Sequence, residues 1–479
     1  MTDVIKGARL RFAPSPTGGL HPGNARIAVF NWLFCKKYNA TYVLRIEDTD
    51  LERSSREHEE NIINDLKWLG ITWDEGPIRQ SERSARYNEL CSLLIEKGWA
   101  YKCWCTDEEL DAERAAQLKS GKPPRYSGKC KKEQNKNGEC AIRFDIDKFI
   151  EEFGAKIEFT DLIRNKNGEK LSQSAKGMGD FVIMKRTKTP TYNFAVVVDD
   201  MDMKITHVFR GEDHISNTYR QIMLFEVIHK LSGTQTLIPT YGHLPMLLAP
   251  DRTKLGKRSG GIPIHEYRAN GYLSDAIFNH LAFLGGIYQN LAEDESRSEL
   301  VNKFDYSNAA PSACIYDLAK LESVNAMFIT KKSLEELKTI LAQENILPKG
   351  IESFYDEKAL DGILTVSKDG AKTLIDIKRA LEMFTEANVD VTLFDGFSEE
   401  QKDLFNKVKL VISKVPESVT GDKWKEFKLE LPSISVLKGG KLWKTLRVML
   451  TGKEFGPPLD DIMLHMSPKV LKNRIDRYV

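Results

Sequence analysis

The sequence predicts an α/β fold: a parallel sheet crossed by helices, interrupted by an inserted α/β module and followed by mainly helical C-terminal domains. Three observations carry that expectation. Strand-like runs at 9–13 and 41–46 flank a helical pattern over 23–38, a βαβ unit of the Rossmann type. From about 100 to 190 the texture shifts to clustered cysteines, short strands such as AIRFDI at 141–146, and the polar stretch EQNKNGE. After Pro263 apolar residues recur at helical spacing near 273–284, 332–344, 370–388, 399–413 and 421–430, with no internal repeat.

The first strand runs into Pro14, Pro16, Gly18 and Gly19, which suit neither strand nor helix. From Gly23 onward, Ala25, Ile27, Ala28, Val29, Trp32 and Leu33 recur with helical spacing. A tight loop thus delivers His21 and free backbone N–H groups to a helix N-terminus, an arrangement that attracts phosphate. TYVLRI at 41–46 is the second strand, and amphipathic helices near 55–69 and 84–97 stop at Gly70 and Gly98. Strands are expected at 193–199 and 205–209, then a helix over 214–230, returning the chain to the first sheet. Downstream, the polar loop DRTKLGKR at 251–258 carries Lys254 and Lys257. A phosphoryl group passing through five-coordination needs cationic donors that follow its developing charge.

Composition narrows the class. The 479 residues suffice for several domains, and 41% hydrophobic with 29% charged residues suits a globular chain. No apolar run approaches the roughly 18 residues of a membrane span. The start MTDVIKGARL lacks a secretory apolar stretch. Seven cysteines, four of them between Cys103 and Cys140, fit a reducing, cytoplasmic compartment and one metal site better than a disulfide framework. With 70 Lys and Arg against 69 Asp and Glu, any nucleic-acid surface must be local. The basic stretch Lys119, Lys122, Arg125, Lys129, Lys131, Lys132 and Lys136 is a candidate.

His21-Pro22-Gly23-Asn24 and Lys254-Leu255-Gly256-Lys257-Arg258 together resemble the HIGH and KMSKS motifs of class I aminoacyl-tRNA synthetases. RFAPSPTG at 11–18, LRIEDTD at 44–50, PTYNFAVVVDD at 190–200, FRGEDHISNTYRQ at 209–221 and LRVMLTGKEFGPPL at 446–459 narrow the resemblance to bacterial-type glutamyl-tRNA synthetase, over essentially the whole chain. The resemblance implies a Rossmann catalytic domain in two halves, 1–100 and 191–240, split by an acceptor-end-binding module at 101–190. A stem-contact region with the KMSKS-like loop follows at 241–333, then helical anticodon-binding subdomains at 334–390 and 391–479. It implies catalytic roles for His21, Lys254 and Lys257, and ATP binding by His21, Gly23, Asn24, Lys254, Lys257 and Arg258. Arg11, Ala13, Ser15, Glu47, Tyr192 and Arg210 would bind glutamate, with Arg11 and Arg210 sharing its carboxylates.

Cys103-x-Cys105 with the later Cys130 resembles the zinc site of some members of this family, and Tyr126 matches a tyrosine ligand of related proteins, so the resemblance implies Cys103, Cys105, Tyr126 and Cys130 as zinc ligands, with Cys140 as an alternative. The family's later Cys-x-His reads Cys130-Lys131-Lys132 here, so its histidine is missing; Pro22, Asn24 and Gly256 also depart from the commoner motif residues. The implied partners are ATP with Mg²⁺, L-glutamate and tRNA-Glu, with tRNA-Gln left open, and the expected state is a monomer off the membrane. Lys438, Lys441, Lys444 and Arg447 are expected to meet tRNA phosphates. Glutaminyl-tRNA synthetase is the nearest alternative, but it usually carries a PEPNG-like first motif and a β-barrel tRNA reader. A shortened paralogue that glutamylates a tRNA base lacks the C-terminal third. A non-catalytic tRNA-binding paralogue would be expected to lose His21, Lys257 or Arg210.

Overall fold

The computed structural model describes residues 7–50, 52–132, 134, 136–165, 168–233, 237–385, 396–413 and 422–476. The chain forms two compact units, Met1–Glu266 with Ile277–Leu318, and Tyr267–Ala276 with Ala319–Val479.

In the first unit, β1 (Arg9–Phe12), β2 (Thr41–Ile46), β3 (Glu75–Arg79), β4 (His207–Gly211) and β5 (Thr240–Leu244) pair in parallel in the order β5–β4–β1–β2–β3. Leu10 of β1 stands opposite both Tyr42 and His207, so β1 is central. Leu10, Phe12, Val43, Leu44 and Ile46 are all buried, as a sheet covered on both faces requires. The chain leaves β1 toward β2 and later returns on its other side at β4. Loops from the ends of β1 and β4 therefore diverge, opening a crevice at the sheet's carboxyl edge.

The helix Pro22–Tyr38 begins with proline in its first turn and stops at Asn39, whose φ of 51° is left-handed. It lays Phe30 and Phe34 against Phe209 of β4, with ring centroids 4.9 and 5.2 Å apart. Helices Arg56–Trp68, Ser84–Glu96 and Ile215–Ser232 lie within a residue or two of their expected bounds.

The expected strand at 193–199 is instead the helix Tyr192–Asp202. Phe194 through Asp200 are all buried, so no polar face marks the period, and a short apolar run looks alike in either conformation. The expected 205–209 strand is β4, displaced toward Gly211.

The inserted module is α/β. Ala100–Cys103, Ala141–Phe144 and Val182–Met184 make an antiparallel sheet, Lys156–Phe159 pairs with Leu171–Ser174, and helices Asp107–Lys119 and Ile146–Phe153 accompany them. Thr106 and Glu109 form a capping box at the first of these helices. The basic stretch here is partly structural: Lys131 Nζ lies 2.8, 2.6 and 3.0 Å from Asp145, Asp147 and Asp180. Beyond Phe159 the chain runs along β5, where Asp161 bridges to Tyr241 and the Leu162 N–H donates to Tyr241 O at 2.9 Å.

The second unit is helical among its described residues, with Leu273, Ala276, Val324, Phe328, Leu337, Ile363, Leu381, Leu404, Leu446 and Ile462 in one core. Helices Leu334–Gln343, Glu399–Ser413 and Asp422–Ile434 match the sequence pattern; the 370–388 pattern contracts to Leu374–Glu382, and its residues 386–388, like residue 421, lie outside the described residues.

Candidate active site

Two adjoining cavities open at the crevice. One, of about 500 Å³, has His21, Gly23, Asn24, Arg26, Met246 and Lys254 in its wall. The other, of about 300 Å³, includes Arg11, Ala13, Ser15, Glu47, Tyr192 and Arg210, all six expected glutamate-pocket residues. Asn24, Ile27, Gly211 and Asp213 belong to both walls, so a molecule in one cavity abuts a molecule in the other.

His21 caps the helix Pro22–Tyr38: its Nδ1 accepts the Gly23 N–H at 3.2 Å. That contact fixes the ring. In neutral imidazole Nδ1 is then the acceptor and Nε2 carries the proton. Burial and the nearby Lys254 ammonium hold His21 below the usual imidazole range, which keeps it a neutral Nε2–H donor.

The lysine loop is held by short-range contacts. Asp251 accepts from Thr253 N and Oγ1 at 2.9 and 2.6 Å, the Ala249 N–H donates to Thr253 O at 2.9 Å, and Leu255 is buried. The Gly256 N–H donates to Ser259 Oγ at 3.0 Å, and the Gly261 N–H donates to Gly256 O at 2.7 Å. Lys254 reaches the larger cavity, while Lys257 and Arg258 stay exposed on the loop and are absent from its wall.

The smaller cavity is lined by charge. Arg11 Nε donates to Asp200 Oδ1 at 3.3 Å, and the fully buried Arg45 donates to the same oxygen at 2.6 Å and to Glu47 Oε1 at 3.0 Å. Asp199 behind them accepts from Gln80, Arg83 and Tyr87. Arg210, 5% exposed, is different. Its Nε donates to His243 Nε2 at 3.2 Å, its Nη2 to Thr218 Oγ1 and Gln221 Oε1 at 2.7 and 2.8 Å, and its Nη1 lies 3.5 Å from the Tyr192 hydroxyl. Every one of these partners is neutral, and among the described residues no carboxylate reaches this guanidinium. A buried unpaired cation is costly unless a counter-charge arrives.

Sequence reasoning did not assign Arg45, Asp200, His243 or Asp161, nor Arg26, whose buried Nη1 donates to Pro245 O at 2.8 Å just before the lysine-loop segment. The signal for the first two was present in the adjacent acids Asp199-Asp200, which end an apolar run and so demand buried cations.

Away from the crevice, Cys103, Cys105 and Cys130 are buried with their sulfurs within 4.8 Å of one another. The Tyr126 hydroxyl lies 3.5 Å from Cys103 Sγ and 3.3 Å from Cys105 Sγ. Cys140 is partly exposed and does not join this group. Arg143 Nε donates to Cys103 Sγ at 3.2 Å, and with Tyr126 it pulls that thiol down to about 7 against the opposing effect of burial.

A family profile described as tRNA synthetases class I (E and Q), catalytic domain, matches residues 8–323, and one described as anticodon binding domain matches 299–479. The chain is 38% identical to the glutamate–tRNA ligase of Carboxydothermus hydrogenoformans over 98% of each chain. It is 39% identical to glutamate–tRNA ligase 1 of a Thermoanaerobacter species over 99% of each. The crystal structure of a glutamate tRNA ligase from Elizabethkingia meningosepticum, in complex with its amino acid, superposes with a TM-score of 0.75 at 28% identity, covering 98% of this chain and 99% of that one. With two adjoining cavities at a parallel-sheet crevice and these glutamate–tRNA ligase relatives matched over 98–99% of their length, the chain belongs to the bacterial-type glutamate–tRNA ligases of the class I aminoacyl-tRNA synthetase family.

Proposed function

We propose that this chain, acting as a monomer, activates L-glutamate with ATP and Mg²⁺ and esterifies the 3′-terminal ribose of tRNA-Glu with it. The observation that carries the reading is Arg210, a buried guanidinium with neutral partners at a cavity it shares with Arg11. The side-chain carboxylate of glutamate supplies the missing counter-charge, and the amide of glutamine does not. Arg11 takes the second carboxylate, and Glu47, whose other oxygen has no partner among the described residues, takes the ammonium.

ATP occupies the larger cavity, against Gly23 and Asn24. The glutamate α-carboxylate attacks the α-phosphorus, the bond to the bridging oxygen breaks, and pyrophosphate leaves with that electron pair. His21 Nε2–H, Lys254 and, once the loop closes on the triphosphate, Lys257 and Arg258 stabilise the charge that grows on the phosphates. Mg²⁺ arriving with ATP, as part of that substrate, would supply further charge neutralisation there. A ribose hydroxyl of tRNA then attacks the adenylate carbonyl and AMP leaves. The segments 101–190, 241–333, 334–390 and 391–479 receive the acceptor end, the stem and the anticodon arm. Three sulfurs and a tyrosine hydroxyl of this spacing suit tetrahedral Zn²⁺, so Cys103, Cys105, Cys130 and Tyr126 would hold a structural ion that stiffens the inserted module. Charging assays with tRNA-Gln transcripts decide whether that tRNA is also served.

Pyrophosphate exchange in the presence of tRNA tests the reading. Glutamate should support exchange and glutamine should be a very poor substitute. Arg210→Ala should weaken glutamate by roughly 2–5 kcal/mol, and His21→Ala should slow adenylation about 10²-fold or more. Equal activation of glutamine would overturn the pocket assignment.

A further inference from the structure

A line of buried hydrogen bonds runs from the inserted module to the amino-acid cavity. Asp161 lies beside β5, and His243 of β5 stands opposite Arg210 of β4 in the parallel register. Asp161 and His243 are each 0% exposed. Asp161 Oδ2 is 2.6 Å from His243 Nδ1, while Oδ1 accepts the Ile163 and Arg164 N–H groups, both at 2.9 Å, and the His243 N–H at 3.3 Å. Burial alone would raise this carboxyl, but these donors leave it below the usual range, so it is a carboxylate.

On the far side of the ring, His243 Nε2 faces Arg210 Nε at 3.2 Å and the Thr218 hydroxyl, which can donate to it, at 3.1 Å. A guanidinium has donors only, so Nε2 must offer its lone pair and Nδ1 must carry the proton. Asp161 accepts that proton's hydrogen bond and so selects this tautomer. Burial and the neighbouring Arg210 charge keep the ring neutral, with only partial opposition from Asp161. Neither Asp161 nor His243 belongs to the wall of either cavity.

The geometry points to Asp161 and His243 as a positioning pair: Asp161 holds His243 in its Nδ1–H form, His243 gives Arg210 a neutral acceptor that aims the guanidinium into the cavity, and a residue of the inserted module thereby sets the affinity for the amino acid. This rests on the reading of Arg210 as the group that binds the substrate carboxylate.

Asp161→Asn tests it. The asparagine can present an amide N–H to Nδ1, driving the ring to the Nε2–H form and setting one donor against another at Arg210, the logic of a triad whose orienting aspartate is amidated. The KM for glutamate should rise about 10–100-fold, with the KM for ATP changed by less than about twofold. Nitrogen-15 spectra of the full chain should show His243 as neutral Nδ1–H in the native protein and as Nε2–H in Asp161→Asn. Adding His243→Gln to Asp161→Asn supplies an amide oxygen that needs no tautomer, so the double variant should regain part of the glutamate affinity. A merely structural role for Asp161 would instead make the damage accumulate. Arg210→Ala separates the two readings. If it raises the glutamate KM while Asp161→Asn does not, the positioning pair falls and the role of Arg210 stands. If Arg210→Ala leaves the glutamate KM unchanged, both fall. Should Asp161→Asn fail to fold, the native spectrum still decides, because a protonated or Nε2–H ring overturns the pair.

Discussion

Gly256 and Gly261 sit in one loop under different constraints. Gly256 has φ −114° and ψ 173°, open to any residue, and a Cβ there meets nothing within 4 Å. A Cβ on Gly261 would lie 2.8 Å from Gly256 O and 3.0 Å from His21 Nε2. Gly256→Ser should therefore leave pyrophosphate exchange within about twofold, whereas Gly261→Ala should cut it about tenfold or more by lifting the loop off His21; a silent Gly261→Ala would refute the loop's placement. Buried histidines give a second prediction at this scale. Burial lowers His21, His207, His214 and His243, with His214 down to about 4. Between the folded values and about 6.5 the unfolded chain binds more protons, so stability rises with pH in that window and is lost on acidification. The Tm of the catalytic unit should fall from about pH 7 to pH 5, and His214→Gln should flatten the pH dependence of the unfolding free energy by at most about 1.4 kcal/mol per pH unit. An unchanged slope would place His214 at an ordinary imidazole pKa. His21, Lys254, Arg11, Glu47, Tyr192 and Arg210 were legible because each sits inside a contiguous motif. Asp161, His243 and Asp200 were not. Their meaning lies in partners such as Arg210, 33 residues before His243, or Arg45, 155 residues before Asp200, and no local pattern announces them.

Among elements, those with a wet face and a dry face were readable and those buried all round were not. The helix Arg56–Trp68 announces itself by Ser55 at its cap and Ile62 and Leu66 on one side. Tyr192–Asp202 has no such contrast, and only its length, too great for an ordinary buried strand, could have distinguished it. In the inserted module the sequence already pointed to Cys103, Cys105, Tyr126 and Cys130 with Cys140 as the alternative, and folding brings the tyrosine hydroxyl to the sulfurs while Cys140 stays outside the group. Gently purified protein should contain about one equivalent of zinc by elemental analysis. Cys103→Ser should release it and Cys140→Ser should not. Chelation should loosen the module, seen as faster amide exchange around Cys103 and Cys130, while the parallel sheet keeps its protection. Metal-free protein, or loss of metal from Cys140→Ser, would remove the proposed ligand set.

For the whole molecule, the division of labour cannot be cut out at a single point in the chain. Every residue in the walls of both cavities precedes Gly256, so a fragment of residues 1–333 keeps them all. The same cut strips the core from Leu273, Ala276, Val324, Phe328 and Ile329, which pack with residues beyond 334. Uncovering each of the larger side chains forfeits roughly 2 kcal/mol of burial. The fragment should therefore aggregate and bind hydrophobic dyes until Val324, Phe328 and Ile329 are made polar. Of the four cations expected to meet tRNA, Arg447 and Lys438 already donate to backbone carbonyls, Pro457 O at 2.6 Å and Pro432 O at 2.9 Å, whereas Lys441 and Lys444 make exposed pairs with Glu400 and Glu454 at 3.5 and 3.1 Å that phosphates can displace. Lys441→Ala with Lys444→Ala in the full chain should lower tRNA affinity and reduce the salt slope by about two. Arg447→Ala should instead lower stability. The solubilised fragment should still be stabilised by ATP with glutamate but should no longer distinguish tRNA-Glu from an anticodon-altered transcript. Full selectivity in that fragment would show that the discriminating contacts lie before residue 334.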